Sequence, residues 1–138
     1  MPDNIRRVDY YYTAVTDKPG EASRILGELH QAGVNLIAFS GFPEGARRAQ
    51  LDFIPADSAA FAKAARKAGI KISSKKTGFL IQGDDRPGTL AELTGKLSNA
   101  GINITAVDAV CSGDGKYGAL LWVKAPDVRK AAKALGAG

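Results

Sequence analysis

An internal repeat constrains this chain more than any other feature. Asp17-Lys18-Pro19-Gly20 recurs as Asp85-Arg86-Pro87-Gly88, at an offset of 68 residues. The offset carries forward without a gap, so that Asn35 meets Asn103. A fixed period of this kind indicates one supersecondary unit used twice. The 138 residues are therefore predicted to form two small domains, 1–74 and 75–138.

Each copy is predicted to begin with a strand followed by a helix. Residues 8–15 are rich in Tyr, Val and Thr, and Phe79-Leu80-Ile81 is their shorter counterpart. We expect Pro19 and Pro87 at the first helical position, where a missing N–H costs nothing. Apolar residues at spacings of three and four then predict one apolar stripe on each helix. The stripes are Ala22, Ile25, Leu29 and Ala32 in the first copy, and Leu90, Leu93, Leu97 and Ala100 in the second.

A hairpin is predicted after each of these helices. Residues 34–39 and 102–110 are β-rich and run into glycine-containing turns, with returning strands at 49–54 and 118–123. The glycines that end the two helices, Gly33 and Gly101, supply left-handed caps.

A second helix closes the hairpin in both copies, with Asp57 and Asp127 as favoured N-caps. Ile70-Lys71-Ile72 predicts a last strand for the first copy only, because the sequence stops at Gly138 where the second such strand would begin. The order strand, helix, strand, strand, helix, strand predicts an α+β fold with antiparallel sheets and both helices on one face. The absent strand would leave Phe79-Leu80-Ile81 on an open edge, which favours a homodimer. The doubly apolar segment 120–123 likewise predicts a partner surface on the second sheet.

Composition excludes several classes of function. No run of residues approaches the length of a membrane span, and no leader-like segment is evident, which predicts a cytoplasmic protein. The lone Cys111 leaves no thiolate metal cluster and is interpreted as a small buried hydrophobe. The only histidine, His30, lies among polar neighbours and is interpreted as a surface residue. We therefore predict no catalytic residues, no metal and no cofactor.

The motifs together resemble the ACT domain family, here in tandem. The resemblance rests on Asp-basic-Pro-Gly, a helix ending in Ala-Gly, and an apolar-Asn-apolar segment at 34–36 and again at 102–104. It implies two ferredoxin-like βαββαβ units, the second without its last strand. It also implies a regulatory protein that binds an amino acid or related small molecule between ACT units and modulates a partner enzyme or transporter of amino-acid metabolism.

The resemblance also implies the ligand-binding residues, which are Asp17, Gly20, Asn35, Asp85, Gly88 and Asn103. Chemistry agrees with that assignment, since a helix N-terminus suits a carboxylate and an aspartate suits an α-ammonium group. The same residues can equally serve only as turn and cap residues.

Two alternatives remain open at this point. A ligand-free interaction module would have the same sequence pattern. RNA binding is suggested by the net charge of +5 and by Tyr10, Tyr11 and Tyr12. Nucleic acid is disfavoured as a partner, because residues 47–53 do not match the aromatic pattern of the RNA recognition motif.

Overall fold

The computed structural model describes residues 3–137 and divides into two compact units. The first unit is Asp9–Lys76, and the second unit combines the N-terminal residues up to Val8 with Thr77 onward. The first-unit elements are β1 (Asn4–Thr16, shared with the second unit), α1 (Glu21–Gln31), β2 (Leu36–Pro43), β3 (Arg48–Pro55) and α2 (Ser58–Lys67). The second-unit elements are β4 (Lys76–Asp84, whose first residue belongs to the first unit), α3 (Thr89–Asn99), β5 (Ala106–Cys111), β6 (Lys116–Trp122), a 3-10 turn (Ala125–Asp127) and α4 (Val128–Leu135). The predicted α+β order, with antiparallel strand pairs, is confirmed.

The first unit has the strand order β2-β3-β1, and its core lies between these strands and the two helices. Ile25 and Leu29 of α1 are buried, as the predicted stripe requires. Aromatic rings hold the other helix in place, because the ring centroid of Phe61 lies 5.3 Å from that of Phe53 and 5.0 Å from that of Tyr11. Tilted rings at these distances add attraction beyond their buried area.

The second unit repeats this arrangement with β5-β6-β4, and the N-terminal part of β1 is the other neighbour of β4. Ile5 packs against the same core as Phe79 and Leu97. The prediction that Phe79-Leu80-Ile81 lies on an open edge is therefore wrong. The N-terminal part of β1 covers this edge of β4.

The predicted last strand of the first copy, Ile70-Lys71-Ile72, has no regular ladder in the structure. The segment still lies beside β1. Ser73 donates its backbone N–H to the carbonyl of Tyr12 at 2.8 Å, and the Thr13 hydroxyl donates to the carbonyl of Lys71. A side chain takes the place of a backbone partner here, because the N–H of Tyr12 donates to the hydroxyl of Ser73.

Both α1 and α3 begin two residues later than predicted. Gly20 and Gly88 are the N-cap residues, with φ of 91° and 85°. This left-handed conformation is open to glycine and strained for other residues. Pro19 and Pro87 therefore stand before the cap and outside the helix.

Both faces of β6 are buried within the chain. Leu121 belongs to the helix-side core, while Leu120 and Trp122, which alternate with it, are each only 6% exposed. The described residues of this strand thus offer no apolar face to a partner, contrary to the prediction from segment 120–123. The described helices are all too short or too polar for a transmembrane span.

Candidate functional site

A pocket of about 450 Å³ opens at the start of α3 in the second unit. Its walls come from the Asp-Arg-Pro-Gly turn, the first turn of α3 and the facing ends of β5 and β6. The volume falls within the range of small-molecule sites. The residues that carry the argument below are Asp85, Arg86, Leu90, Val110, Cys111 and Tyr117.

The turn that carries Asp85 is anchored to the β5–β6 hairpin. Asp85 donates its backbone N–H to the carbonyl of Gly115 at 3.0 Å. The first copy repeats this contact, since Asp17 donates to the carbonyl of Arg47 at 2.8 Å. Each repeated aspartate is thereby fixed at the junction between strand, hairpin and helix.

The two helix starts have different side chains at their first position although their backbones match. At the first position of α3, Thr89 is buried and donates its hydroxyl to the carbonyl of Arg86 at 3.0 Å. At the equivalent position of α1, Glu21 carries a carboxylate that binds Arg24 at 3.0 Å. That hydrogen bond lowers the pKa of Glu21, so the carboxylate stays charged. In α3 the carboxylate of the first turn is that of Glu92, which binds Arg86, so each helix start has an anion near its positive end but at a different position.

Cys111 lies in the pocket wall and not in the core. Its side chain is exposed, so the prediction of a buried hydrophobe is wrong. The neighbouring Asp85 raises the pKa of the Cys111 thiol, because ionisation of the thiol would place two anions side by side.

Two apolar side chains border the pocket and face solvent. Leu90 is 43% exposed and Val110 is 70% exposed. Leu90 belongs to the predicted apolar stripe of α3, but of the leucines in that stripe only Leu93 and Leu97 are buried. Its place in the first turn puts it over the pocket mouth instead.

The predicted ligand residues are only partly brought together. Asp85 and Gly88 line the pocket at the start of α3. Asn103 is exposed and lines a separate pocket of about 560 Å³ farther along α3, beside Thr94 and Ser98. A third pocket, of about 610 Å³, lies at the β5–β6 hairpin and contains Asn4.

None of these three pockets is lined by the first-copy candidates Asp17, Gly20 and Asn35. The prediction missed Cys111 and Tyr117, which face each other across β5 and β6. Only the register of the hairpin could have indicated that pair. No group of three or more His, Cys, Asp or Glu residues that could hold a metal ion occurs within residues 3–137.

The ACT domain family model matches residues 79–137, the part of the chain that contains the pocket. Among solved structures, protein BT0572 from Bacteroides thetaiotaomicron is 20% identical with a TM-score of 0.82, over 96% of this chain and 89% of that one. The regulatory subunit of aspartate kinase from Thermus thermophilus is 15% identical with a TM-score of 0.67, over 99% of this chain and 95% of that one. The corresponding subunit from Thermus flavus is also 15% identical, with a TM-score of 0.64 and the same coverage.

No curated protein matches the sequence. The structural matches span nearly the whole chain and agree with the two units described above. At these identities they show the fold. The ACT domain family match applies to the second copy, residues 79–137, and the structural matches show that the chain as a whole has the same fold as these proteins.

Proposed function

We propose that this protein is a small-molecule-binding regulator that senses an amino acid and modulates a partner in amino-acid metabolism. One observation carries the proposal. A single pocket places the Asp85 carboxylate, the start of α3 and the exposed side chains of Leu90 and Val110 side by side. An anion, a set of N–H donors and an apolar surface are the complements of the three parts of an amino acid.

The expected binding mode follows from charge. The α-carboxylate would accept hydrogen bonds from the first turn of α3, whose N-cap Gly88 has no side chain to occupy them. The α-ammonium group would donate to Asp85, whose backbone N–H is bonded to the carbonyl of Gly115. The ligand side chain would then lie against Leu90 and Val110.

The regulatory part of the proposal draws on the fold. The chain resembles the regulatory subunit of aspartate kinase along its length, which supports a partner enzyme or transporter of amino-acid metabolism. Leu90 and Val110 lie at the pocket mouth, so a second ACT unit closing on them would bury both the ligand and this surface. A ligand bound there would bias the packing of ACT units, and the partner would respond to one arrangement.

The test is an amino-acid screen with a matched pair of variants. Each proteinogenic amino acid at about 5 mM is added to the purified protein, and the midpoint of thermal unfolding is measured. Asp85→Asn should weaken binding of the amino acid that stabilises the protein by about tenfold or more, because a charged hydrogen-bond acceptor is lost.

Asp17→Asn is the control, since Asp17 occupies the equivalent turn but lines none of the described pockets. It should leave affinity within about twofold of the wild type. A screen in which no amino acid shifts the midpoint contradicts the proposal. So does an equal loss of affinity in the two variants.

A ligand-free interaction module is the second candidate, favoured by the apolar side chains on the two outer strands. Phe39 and Phe42 of β2 are 40% and 38% exposed, and Val107 of β5 is 41% exposed. Edge strands with such side chains are prone to pair with another chain. This candidate predicts self-association that Val107→Lys weakens and that no amino acid alters, as measured by sedimentation at several concentrations.

A further inference from the structure

Tyr117 connects the pocket to the start of the chain. Its ring lines the pocket at the start of α3, and its side chain is almost fully buried. Its hydroxyl donates a hydrogen bond of 2.9 Å to the Asp3 carboxylate, 114 residues away in sequence. The wall of the proposed ligand site is therefore bonded to the residue that precedes β1.

Gly83 provides the space that this contact requires. A Cβ atom at position 83 would lie 2.0 Å from Oδ1 of Asp3 and 2.9 Å from Cε1 of Tyr117. Both distances are shorter than real Cβ contacts. Any larger residue would have to displace the Asp3 carboxylate, the Tyr117 ring, or both.

The first copy lacks this arrangement at the matching register. Gly83 pairs with Tyr117 across β4 and β6, and the same position across β1 and β3 is occupied by Val15 and Ala49. A branched side chain stands where the glycine would be, and a methyl group stands where the tyrosine would be. The Asp3 contact thus belongs to the second copy, which also contains the pocket.

The bonded segment is the beginning of a long strand. Residues 4–8 of β1 belong to the second unit, and the same strand continues into the first unit, where Tyr11 to Thr16 pair with β3. A shift of the N-terminal part of β1 is covalently linked to that pairing. A displacement of the Tyr117 side chain can therefore act on β1 through the hydrogen bond to Asp3.

We propose that the Asp3–Tyr117 hydrogen bond couples the pocket to β1, so that an occupant of the pocket and the docking of residues 4–8 bias each other. The inference rests on the proposed function for the identity of the natural occupant. Asp3 and Tyr117 act as positioning residues, because they hold the pocket wall and the strand in one arrangement. Coupling of this kind is reciprocal in free energy.

Cys111 offers a probe that does not depend on the natural ligand. It is the only cysteine, it lines the pocket, and it pairs directly with Tyr117 across the hairpin. The thiolate of Cys111 attacks the disulfide of dithiobis(nitrobenzoic acid), which leaves one bulky thionitrobenzoate group on the cysteine as a mixed disulfide and releases the other thionitrobenzoate. The attached group should displace the Tyr117 ring from Asp3.

Amide hydrogen exchange then reports the docking of β1. In the full-length protein, modification of Cys111 should speed exchange at residues 4–8 by about threefold or more and leave α2 (Ser58–Lys67) unchanged. Tyr117→Phe should speed exchange at residues 4–8 by about tenfold before modification, through the loss of a charge-assisted hydrogen bond. Modification of that variant should add no further change. Asp3→Asn leaves the core intact and should give the same pattern more weakly.

The outcomes separate this inference from the proposed function. Unchanged exchange at residues 4–8 after modification of wild-type Cys111 overturns the coupling, even where an amino acid still stabilises the protein. The same holds if modification acts equally on the wild type and on Tyr117→Phe. If modification speeds exchange at residues 4–8 but no amino acid stabilises the protein, the coupling between the pocket and β1 is supported. The natural occupant of the pocket is then not an amino acid.

Discussion

Arg86 and Glu92 form a two-pronged ion pair beside the pocket. Nη1 of Arg86 donates to Oε1 of Glu92 at 3.1 Å, and Nη2 donates to Oε2. The hydrogen bonds raise the pKa of Arg86 and lower that of Glu92, and both side chains face solvent. The cationic side chain that lines the pocket is therefore already bound to a carboxylate of the protein itself.

Release of Arg86 should strengthen binding of a carboxylate ligand. We expect Glu92→Gln to raise the affinity for an amino acid by about two- to fivefold, because exposed ion pairs are worth little and a freed guanidinium can bind the ligand. Isothermal titration at low and high salt measures the effect, which should shrink as salt screens the charge. Glu21→Gln, which frees Arg24 in the first copy, is the control and should leave affinity unchanged. Weaker binding by Glu92→Gln would show that the intact pair shapes the site.

Asp57 and Asp127 precede helices in the same way but differ as caps. Asp57 is extended, with φ of −129°, and its side chain accepts from the N–H of Ala60 at 3.1 Å. Asp127 ends a 3-10 turn with φ of −94°, and its side chain makes no cap hydrogen bond. We expect Asp57→Ala to lower the free energy of unfolding by about 1 kcal/mol and Asp127→Ala to lower it clearly less. Urea denaturation compares the two variants, and equal losses would contradict the difference in capping.

The local features of the fold were predictable because short-range geometry decides them. Gly33 and Gly101 end their helices with φ of 76° and 73°, as an Ala-Gly ending suggests. The capping difference between Asp57 and Asp127 was not predictable, because a preceding 3-10 turn fixes the backbone of Asp127. Both residues have the same local sequence signal.

Strand pairing between distant segments was the larger gap. The sequence of residues 4–8 does not indicate that they neighbour β4. The alternation of residues in a strand indicates which face is buried, but it does not identify the strand beside it. Prediction of the pocket residues from the sequence was limited in the same way. Asp85 and Gly88 followed from the repeated motif, whereas Tyr117 entered the pocket wall through the β5–β6 register and the space at Gly83.

Asn103 tests whether the repeated motif marks one site. It was assigned to the ligand site together with Asp85, but it lines the separate pocket beside Thr94 and Ser98. We expect Asn103→Ala to leave amino-acid affinity within about twofold of the wild type, since additivity holds for residues without shared partners. Calorimetric titration beside Asp85→Asn measures the contrast. A tenfold loss in Asn103→Ala would mean that the ligand lies along α3 and not at its start.

The titration of Tyr117 provides a test of its environment at high pH. Burial, followed by the hydrogen bond to Asp3, raises the pKa of Tyr117 from 10.0 to about 12. Because the folded state holds this proton more tightly, the stability it contributes is complete below pH 10.0 and is lost as pH rises toward about 12. Asp3→Asn should lower the pKa of Tyr117 but leave it above 10.0, since burial remains.

Tyrosinate absorbance of the wild type, Asp3→Asn and Tyr117→Phe measures this directly. The difference between the wild type and Tyr117→Phe isolates the phenol of interest from the three other tyrosines. A Tyr117 that titrates near 10.0 in the wild type would mean that its hydroxyl is solvated. In that case Asp3 could not hold it, and the N-terminal part of β1 would dock on β4 without any bond to the pocket wall.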